Sequence, residues 1–82
     1  MLKITPEADA ALNALYERGQ EHLLNRLEDA LDRLAQDPGA ADVRRRRIQP
    51  AGVWAITVAD WVILWKQDGD TTVVQYVGPS PF

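Results

Sequence analysis

The sequence of 82 residues contains no cysteine and a single histidine. Without cysteine there are no disulfides, no thiolate metal ligands and no thiol nucleophile. No segment approaches the roughly 20 apolar residues that a membrane-spanning helix needs, and the first residues lack the apolar stretch of a secretory signal. We therefore predict a cytoplasmic protein that enters no membrane and binds no metal and no cofactor.

Basic charge is scarce in the first half of the chain. Residues 1–42 carry four basic and nine acidic side chains, whereas residues 43–82 carry five basic and three acidic ones. Four of those five form one run, Arg44, Arg45, Arg46 and Arg47, here called the arginine run. The net charge of -3 is unlike that of a typical nucleic-acid-binding domain, but a local basic patch can still contact phosphate.

Two helices are indicated in the first half. Thr5-Pro6-Glu7 supplies a capping hydroxyl, a proline at the first helical position and a carboxylate near the positive end of the helix dipole. Gly19 ends this helix; a second begins near Gln20 and ends at Asp37-Pro38-Gly39. Each helix has an apolar stripe at helical spacing: Ala8, Ala11, Leu12 and Leu15 in the first, and Leu23, Leu24, Leu27, Ala30, Leu31 and Leu34 in the second. We expect the two to form an antiparallel hairpin.

The second half has patterns typical of strands. We predict strands at 44–49, 53–58, 61–66 and 71–77, separated by turns at Pro50-Ala51-Gly52, Ala59-Asp60 and Asp68-Gly69. Such short connections require antiparallel pairing. Leu2-Lys3-Ile4 is a candidate fifth strand, and the two prolines of the tail at 78–82 are expected to end the last strand. The predicted fold class is α+β: an N-terminal helical hairpin on one face of a mainly antiparallel sheet of four or five strands, in a single domain, 1–82.

The two faces of the predicted sheet differ. Alternation places bulky side chains on one side of two neighbouring strands: Trp54, Ile56 and Val58 on the first, and Trp61, Ile63 and Trp65 on the next. Because they match the leucine stripes in size, we expect them to face the helices. Val62 and Leu64 then lie on the opposite side, here called the second face. That face would be covered by the C-terminal tail, by a partner or by nothing.

Three stretches occur in an order that is similar to a known family. The family is the RelE/ParE superfamily of toxins. Its second helix, which ends at an Asp-Pro break, resembles ALDRLAQDPG at 30–39. Its central strand pair resembles VWAITVADWVILW at 53–65, and its last strand resembles VVQYVG at 73–78. These toxins belong to bacterial type II toxin–antitoxin systems. The resemblance covers nearly the whole chain. It implies a cognate antitoxin as partner, a toxin–antitoxin hetero-oligomer, and ribosome-bound messenger RNA or DNA gyrase as target.

The sequence departs from the resemblance where ribonuclease members carry charge. This chain has Ala55, Thr57 and Val62 where those members have arginines in the strand pair. It has Pro79 and Ser80 where they have a terminal His-Arg pair, and Phe82 corresponds loosely to their final aromatic residue. Cleavage of RNA by a 2′-hydroxyl needs proton transfer and positive charge at the phosphate, which these side chains do not supply. We therefore predict no catalytic residue and no active ribonuclease. The second face is expected to be uncharged and to contact protein in preference to phosphate.

The residues predicted to bind an antitoxin or nucleic acid are the arginine run together with Val62, Leu64 and Lys66. A strand would point two of the four guanidinium groups to each side, and four cannot all be buried without partners. The run is therefore expected at an edge or lip of the sheet. Two interpretations stay open. The arginines contact phosphate or an acidic partner helix, or they protect the edge by their charge and by salt bridges to the acidic helices.

Other reactive side chains have simpler interpretations. His22 is expected to be a solvated helix residue, because no nucleophile or orienting carboxylate can be placed beside it. Lys66 is interpreted as a strand-end residue and Tyr76 as a core or rim residue, in preference to acid–base roles. The tryptophans are interpreted as core side chains in preference to platforms for stacking bases.

The leading hypothesis is a RelE/ParE-like toxin, or a toxin-derived protein, that an antitoxin neutralises and that lacks the usual ribonuclease arginines. An antitoxin segment would lay apolar side chains over exposed strand surface and acidic ones near the arginine run. The alternative is a non-toxic protein-binding module or regulator with the same fold. A homodimer joined through the second face is a further hypothesis.

Overall fold

The computed structural model describes residues 1–49 and 52–81. The elements in chain order are β1 (Leu2–Ile4), α1 (Pro6–Glu17), α2 (Glu21–Gln36), β2 (Arg46–Ile48), β3 (Val53–Val58), β4 (Trp61–Asp68) and β5 (Thr71–Pro79). The predicted α+β class is confirmed, with two helices packed on a five-stranded sheet. Pro50 and Ala51 of one predicted turn, and Phe82, lie outside the described residues.

The first helix begins and ends where local signals predict. The side-chain oxygen of Thr5 accepts a hydrogen bond from the N–H of Ala8 at 3.4 Å, and Pro6 is the first helical residue. The helix ends at Glu17, and Gly19 follows with φ of 73°. That conformation suits a residue without a Cβ, so glycine allows the chain to turn sharply into α2.

The sheet has the strand order β1-β5-β4-β3-β2. β1 lies parallel to β5, and every other neighbouring pair is antiparallel. Leu2–Ile4 therefore joins the sheet as its fifth strand and forms one edge, while β2 forms the other. β4 lies at the centre, as expected for a strand that is apolar on both faces.

Three strand ends differ from the prediction. β2 begins at Arg46 and not at residue 44, because residues 41–45 form turns and a bend. β4 continues to Asp68, and β5 continues to Pro79. The expectation that the tail leaves the sheet at Gly78 is therefore wrong. Pro79 is tolerated because it is the last residue of its strand, where the missing N–H interrupts no further pairing.

The core lies between the sheet and the two helices. Trp65, Ile63 and Val74 are fully buried there, against the leucine stripes of α1 and α2. Trp54 and Trp61 are half-buried and pack on the same cluster. The prediction that the tryptophan side of the sheet faces the helices is confirmed.

A β-bulge divides β5 in two. Leu64 pairs with Tyr76 and Trp65 pairs with Val74, so Gln75 is an extra residue on β5. The extra residue changes the alternation of side chains along the strand. As a result Val74 and Val77, three positions apart, both belong to the core, and Tyr76 lies on the second face beside Leu64.

Candidate functional site

The arginine run follows a loop that is fixed to the end of α2. The carboxylate of Asp37 accepts a hydrogen bond from the N–H of Gly39 at 3.1 Å, which forms the turn after the helix. Further along, Arg33 and Asp42 form a two-bond ion pair with distances of 3.1 and 3.3 Å. Residues 37–45, here called the arginine loop, thus begin with a turn directly after α2 and are held to that helix by the ion pair of Arg33 and Asp42.

The same loop is attached to the core through Trp65. The indole N–H of Trp65 donates to the carbonyl oxygen of Val43 at 3.1 Å, and both residues are buried. Val43 also places its own side chain in the core. Because a buried carbonyl without a partner is unfavourable, this bond fixes where the loop crosses the end of the sheet. It also explains why β2 begins after the loop, at Arg46.

Arg44 and Arg47 stack on the tryptophans at the helix side of the sheet. The guanidinium carbon of Arg44 lies 5.7 Å from the ring centroid of Trp54 and 5.6 Å from that of Trp65. Arg47 lies 4.9 Å from the ring centroid of Trp54, with which it pairs across the strands. Contacts of this kind contribute about 0.5–2 kcal/mol each. Nε of Arg44 also donates to the carbonyl oxygen of Pro38, so Arg44 connects the loop to the core.

Arg45 and Arg46 have different surroundings from their neighbours. Arg45 is exposed in the arginine loop, close enough to Asp42 to lower its pKa by charge. Arg46 pairs with Ala55 across β2 and β3, which places it on the second face. The expectation of two guanidinium groups on each side of a strand is therefore not what the structure shows. The position at an edge is confirmed, since β2 is the last strand of the sheet.

The second face carries more charge and less apolar surface than the sequence suggests. The cross-strand row that starts at Arg46 continues through Ala55 and Leu64 to Tyr76. Lys66 lies two residues beyond Leu64 on β4, on the same face, and is exposed. The prediction of an uncharged second face is thus wrong, because β2, the end of β4 and Lys3 of β1 supply the cations that β3 lacks.

Tyr76 closes part of the second face. Its hydroxyl donates to the carbonyl oxygen of Pro79 at 2.9 Å, and its ring lies over Gly78, where a Cβ would come within 2.6 Å of the hydroxyl oxygen. Val62, which pairs with Gly78, is 1% exposed. Of the residues predicted to bind a partner, Val62 therefore offers no surface in this conformation. Leu64 is half-buried and offers part of its side chain.

The ion pair between Arg33 of α2 and Asp42 of the arginine loop shifts the pKa of both groups. The hydrogen bond from Arg33 holds the pKa of Asp42 below its ordinary value, and the same bond raises the pKa of Arg33. Both groups are exposed, so solvent weakens their attraction and the pair is expected to position the loop more than to stabilise the fold.

His22 is exposed at the first turn of α2.

Residues 1–49 and 52–81 contain neither a cluster of metal ligands nor a membrane-spanning helix. Within these ranges no three histidine, aspartate or glutamate side chains come together as a metal site would require. None of the helices there combines the length and the apolar character that spanning a bilayer demands.

Sequence reasoning missed two grooves. One, of about 370 Å³, lies between α1, α2 and β1, and the other, of about 410 Å³, lies between α1 and the second half of β5. Each is made by residues from distant parts of the chain. The amphipathic pattern of the helices indicates which side chains are apolar, but not where two helices and an edge strand leave a gap.

A family model described as the ParE toxin of the type II toxin–antitoxin system parDE matches residues 2–80. No curated protein matches the chain.

Proposed function

The chain belongs to the ParE toxin family of type II toxin–antitoxin systems, and we propose that it is a toxin that acts by binding a protein target and does not cleave RNA. Its partner in the cell is an antitoxin. The likeness to ParE toxins favours DNA gyrase over the ribosome as the target, and both are cytoplasmic. In this proposal the arginine run and the second face are the surfaces that meet the partner or the target.

The observation that carries the proposal is the chemistry at the centre of the second face. Ala55 and Val62 are 3% and 1% exposed, and neither can move a proton or bind a phosphate. RNA cleavage by a 2′-hydroxyl needs an acid, a base and positive charge gathered around one phosphate. The cations of this face include Arg46 and Lys3, which come from the two edge strands, and Lys66, which comes from the far part of β4. Tyr76 directs its hydroxyl to the carbonyl oxygen of Pro79.

The same arrangement supports protein binding. The half-buried Leu64 lies between Ala55 and Tyr76 in its cross-strand row. Arg46 follows beyond Ala55, and Lys66 lies two residues along β4, so basic side chains flank a small apolar centre. Interfaces commonly combine an apolar centre with a polar rim, and arginine is enriched in them. An acidic partner segment with one or two apolar side chains would match this surface.

Three assays test the proposal. Expression of the chain in a bacterium is expected to stop growth, and co-expression of the neighbouring reading frame is expected to restore it. Purified protein is expected to leave ribosome-bound messenger RNA intact and to inhibit supercoiling by DNA gyrase. Inhibition should weaken in Arg46→Ala and persist in Arg18→Ala, a control that removes an equal charge from the exposed turn after α1.

Two results would overturn the proposal. Cuts at defined codons that disappear in Arg46→Ala and Tyr76→Phe would show a ribonuclease site on the second face. Harmless expression, with no effect on gyrase or translation, would instead support a non-toxic binding module with this fold.

A further inference from the structure

The arginine run is divided between the two sides of the β2 edge. Arg44 and Arg47 lie on the side that faces the helices, over the ring of Trp54. Arg46 lies on the second face, and Arg45 belongs to the arginine loop just before β2. Arg44, Arg45 and Arg47 are therefore three neighbouring cations apart from the second-face row of Arg46, and all three are exposed.

Two of these guanidinium groups are held in place by an aromatic ring. Arg44 and Arg47 lie 5.7 and 4.9 Å from the ring centroid of Trp54. A stacked guanidinium group uses its flat face, so the N–H groups in its plane can still donate to a ligand. Nε of Arg44 donates to the carbonyl oxygen of Pro38, which leaves its terminal nitrogens for another acceptor. Because both side chains are already positioned, less conformational entropy is lost when an anion binds.

The carboxylates of the arginine loop are engaged elsewhere. Asp37 accepts from the N–H of Gly39, and both oxygens of Asp42 accept from Arg33. Arg45 lowers the pKa of Asp42 by its charge and forms no hydrogen bond with it. Neither carboxylate is left to neutralise the arginines, so their charge can attract an anionic ligand.

The surroundings of the three arginines favour a phosphodiester backbone over a protein or a single strand. Protein interfaces commonly have an apolar centre, but Val43 and Trp65 beside the arginines are 2% and 0% exposed. Single-stranded nucleic acids rely on open aromatic rings on which bases stack, but the half-buried ring of Trp54 carries two guanidinium groups. The accessible groups are planar donors, which match the paired oxygens of a phosphate.

We propose that Arg44, Arg45 and Arg47 bind the phosphodiester backbone of duplex DNA without reading its sequence. The inference deepens the proposed function and rests on it for its role in the cell, because gyrase acts on duplex DNA and a toxin bound to gyrase meets that DNA. The second face then contacts protein, and the helix side of the β2 edge contacts DNA. The acidic residues of α1 and α2 confine the DNA contact to this edge, so binding weakens steeply with salt.

The test measures DNA binding by the full-length protein without gyrase. A fluorescent duplex of about 20 base pairs is titrated at several salt concentrations, and its anisotropy gives the affinity. Arg45→Gln removes one of the three charges and leaves both ring contacts of Trp54 intact. Arg26→Gln makes the same change at an exposed position of α2.

One phosphate contact should be lost in Arg45→Gln. We expect it to weaken binding about tenfold at about 50 mM salt and to reduce the slope of log affinity against log salt by about 0.9. Arg26→Gln should change the affinity less than about twofold. Circular dichroism checks that both variants are folded. Equal losses in the two variants, or a wild type that does not bind the duplex at low salt, would overturn the proposal.

A second arm compares other polyanions with the duplex. A duplex of unrelated sequence is expected to bind within about twofold of the first, because backbone contacts carry no sequence information. A single-stranded RNA of the same length and a poly-glutamate peptide of the same charge are expected to bind more weakly. Tighter binding of the RNA would overturn the proposal in favour of a site for messenger RNA, and tighter binding of the peptide would do so in favour of an acidic protein. Growth arrest and gyrase inhibition by the wild type test the proposed function separately.

Discussion

Replacing Trp65 with phenylalanine tests whether one buried hydrogen bond holds the arginine loop in place. Trp65 is 0% exposed and donates to the carbonyl oxygen of Val43 at 3.1 Å. Its ring also stacks on Trp54 at 6.3 Å between centroids and receives the guanidinium group of Arg44 at 5.6 Å. Phenylalanine keeps an aromatic ring at the position but removes the N–H group and part of the volume.

The expected cost is the sum of two effects. A buried carbonyl left without its partner costs about 1–3 kcal/mol. The smaller ring leaves unfilled space and a weaker contact with Arg44, which adds about 1–2 kcal/mol. The total of about 3 kcal/mol is large for this chain, because a domain of this length is expected to have a free energy of unfolding of about 4–12 kcal/mol.

Trp54→Phe provides the matched control. It makes the same chemical change at a half-buried ring of the same cluster, so we expect a loss of about 1 kcal/mol. Urea unfolding followed by far-ultraviolet circular dichroism measures both free energies. Thermal midpoints should fall by about 4–8 °C for each kcal/mol. If Trp65→Phe costs no more than Trp54→Phe, the bond to Val43 does not hold the loop and the argument fails.

Two further predictions concern the pair Arg33 and Asp42 and the ring of Tyr76. The ion pair lowers the pKa of Asp42, so its stabilisation is present above the ordinary carboxyl pKa and is lost as pH falls through the lowered pKa. The wild type should therefore have a higher thermal midpoint than Arg33→Gln at pH 7, and the two midpoints should converge in strong acid. A difference that persists in strong acid would contradict a stabilising role of this ion pair. Gly78→Ala should displace the ring of Tyr76 and cost about 1–2 kcal/mol by urea unfolding, since the new Cβ would lie 2.6 Å from the hydroxyl oxygen. In a Tyr76→Ala background the same change should be nearly neutral, and equal costs in both backgrounds would rule out the contact.

The sequence predicts best where the signal is local. Thr5-Pro6-Glu7 and Asp37-Pro38-Gly39 act through neighbouring residues, and α1 and α2 begin and end within a residue or two of the predicted positions. The side of the sheet that faces the helices also follows from alternation together with the size of the side chains, and Trp65 confirms it. By contrast, the start of β2 depends on a bond between Val43 and a residue far along the chain. No pattern within the arginine run predicts that bond.

The second face shows the same limit. Alternation from Thr71 onward assigns the wrong side to residues beyond Gln75, because the bulge there is fixed by pairing with β4. Tyr76 consequently covers part of a surface that the sequence suggests is open, and Val62 is buried under its own sheet neighbours. The arginine run could be placed at an edge from its charge. Which of its guanidinium groups stack on tryptophan depends on how the arginine loop crosses the sheet.

Asp9 of α1 and Glu28 of α2 line a groove beside β1, whereas the arginine run lies at the opposite edge of the sheet, and this difference in charge limits the kind of partner that can bind both. Four inter-strand spacings of about 4.8 Å separate β1 from β2, so the edges lie about 19 Å apart. This exceeds the screening length of about 8 Å at physiological ionic strength, so each edge attracts charge independently of the other. An extended chain spans that distance with about six residues. A single antitoxin segment that reaches both edges must therefore change from basic near Asp9 and Glu28 to acidic near Arg45 and Arg46 over at least this length. A segment of uniform charge would be attracted to one edge and repelled from the other.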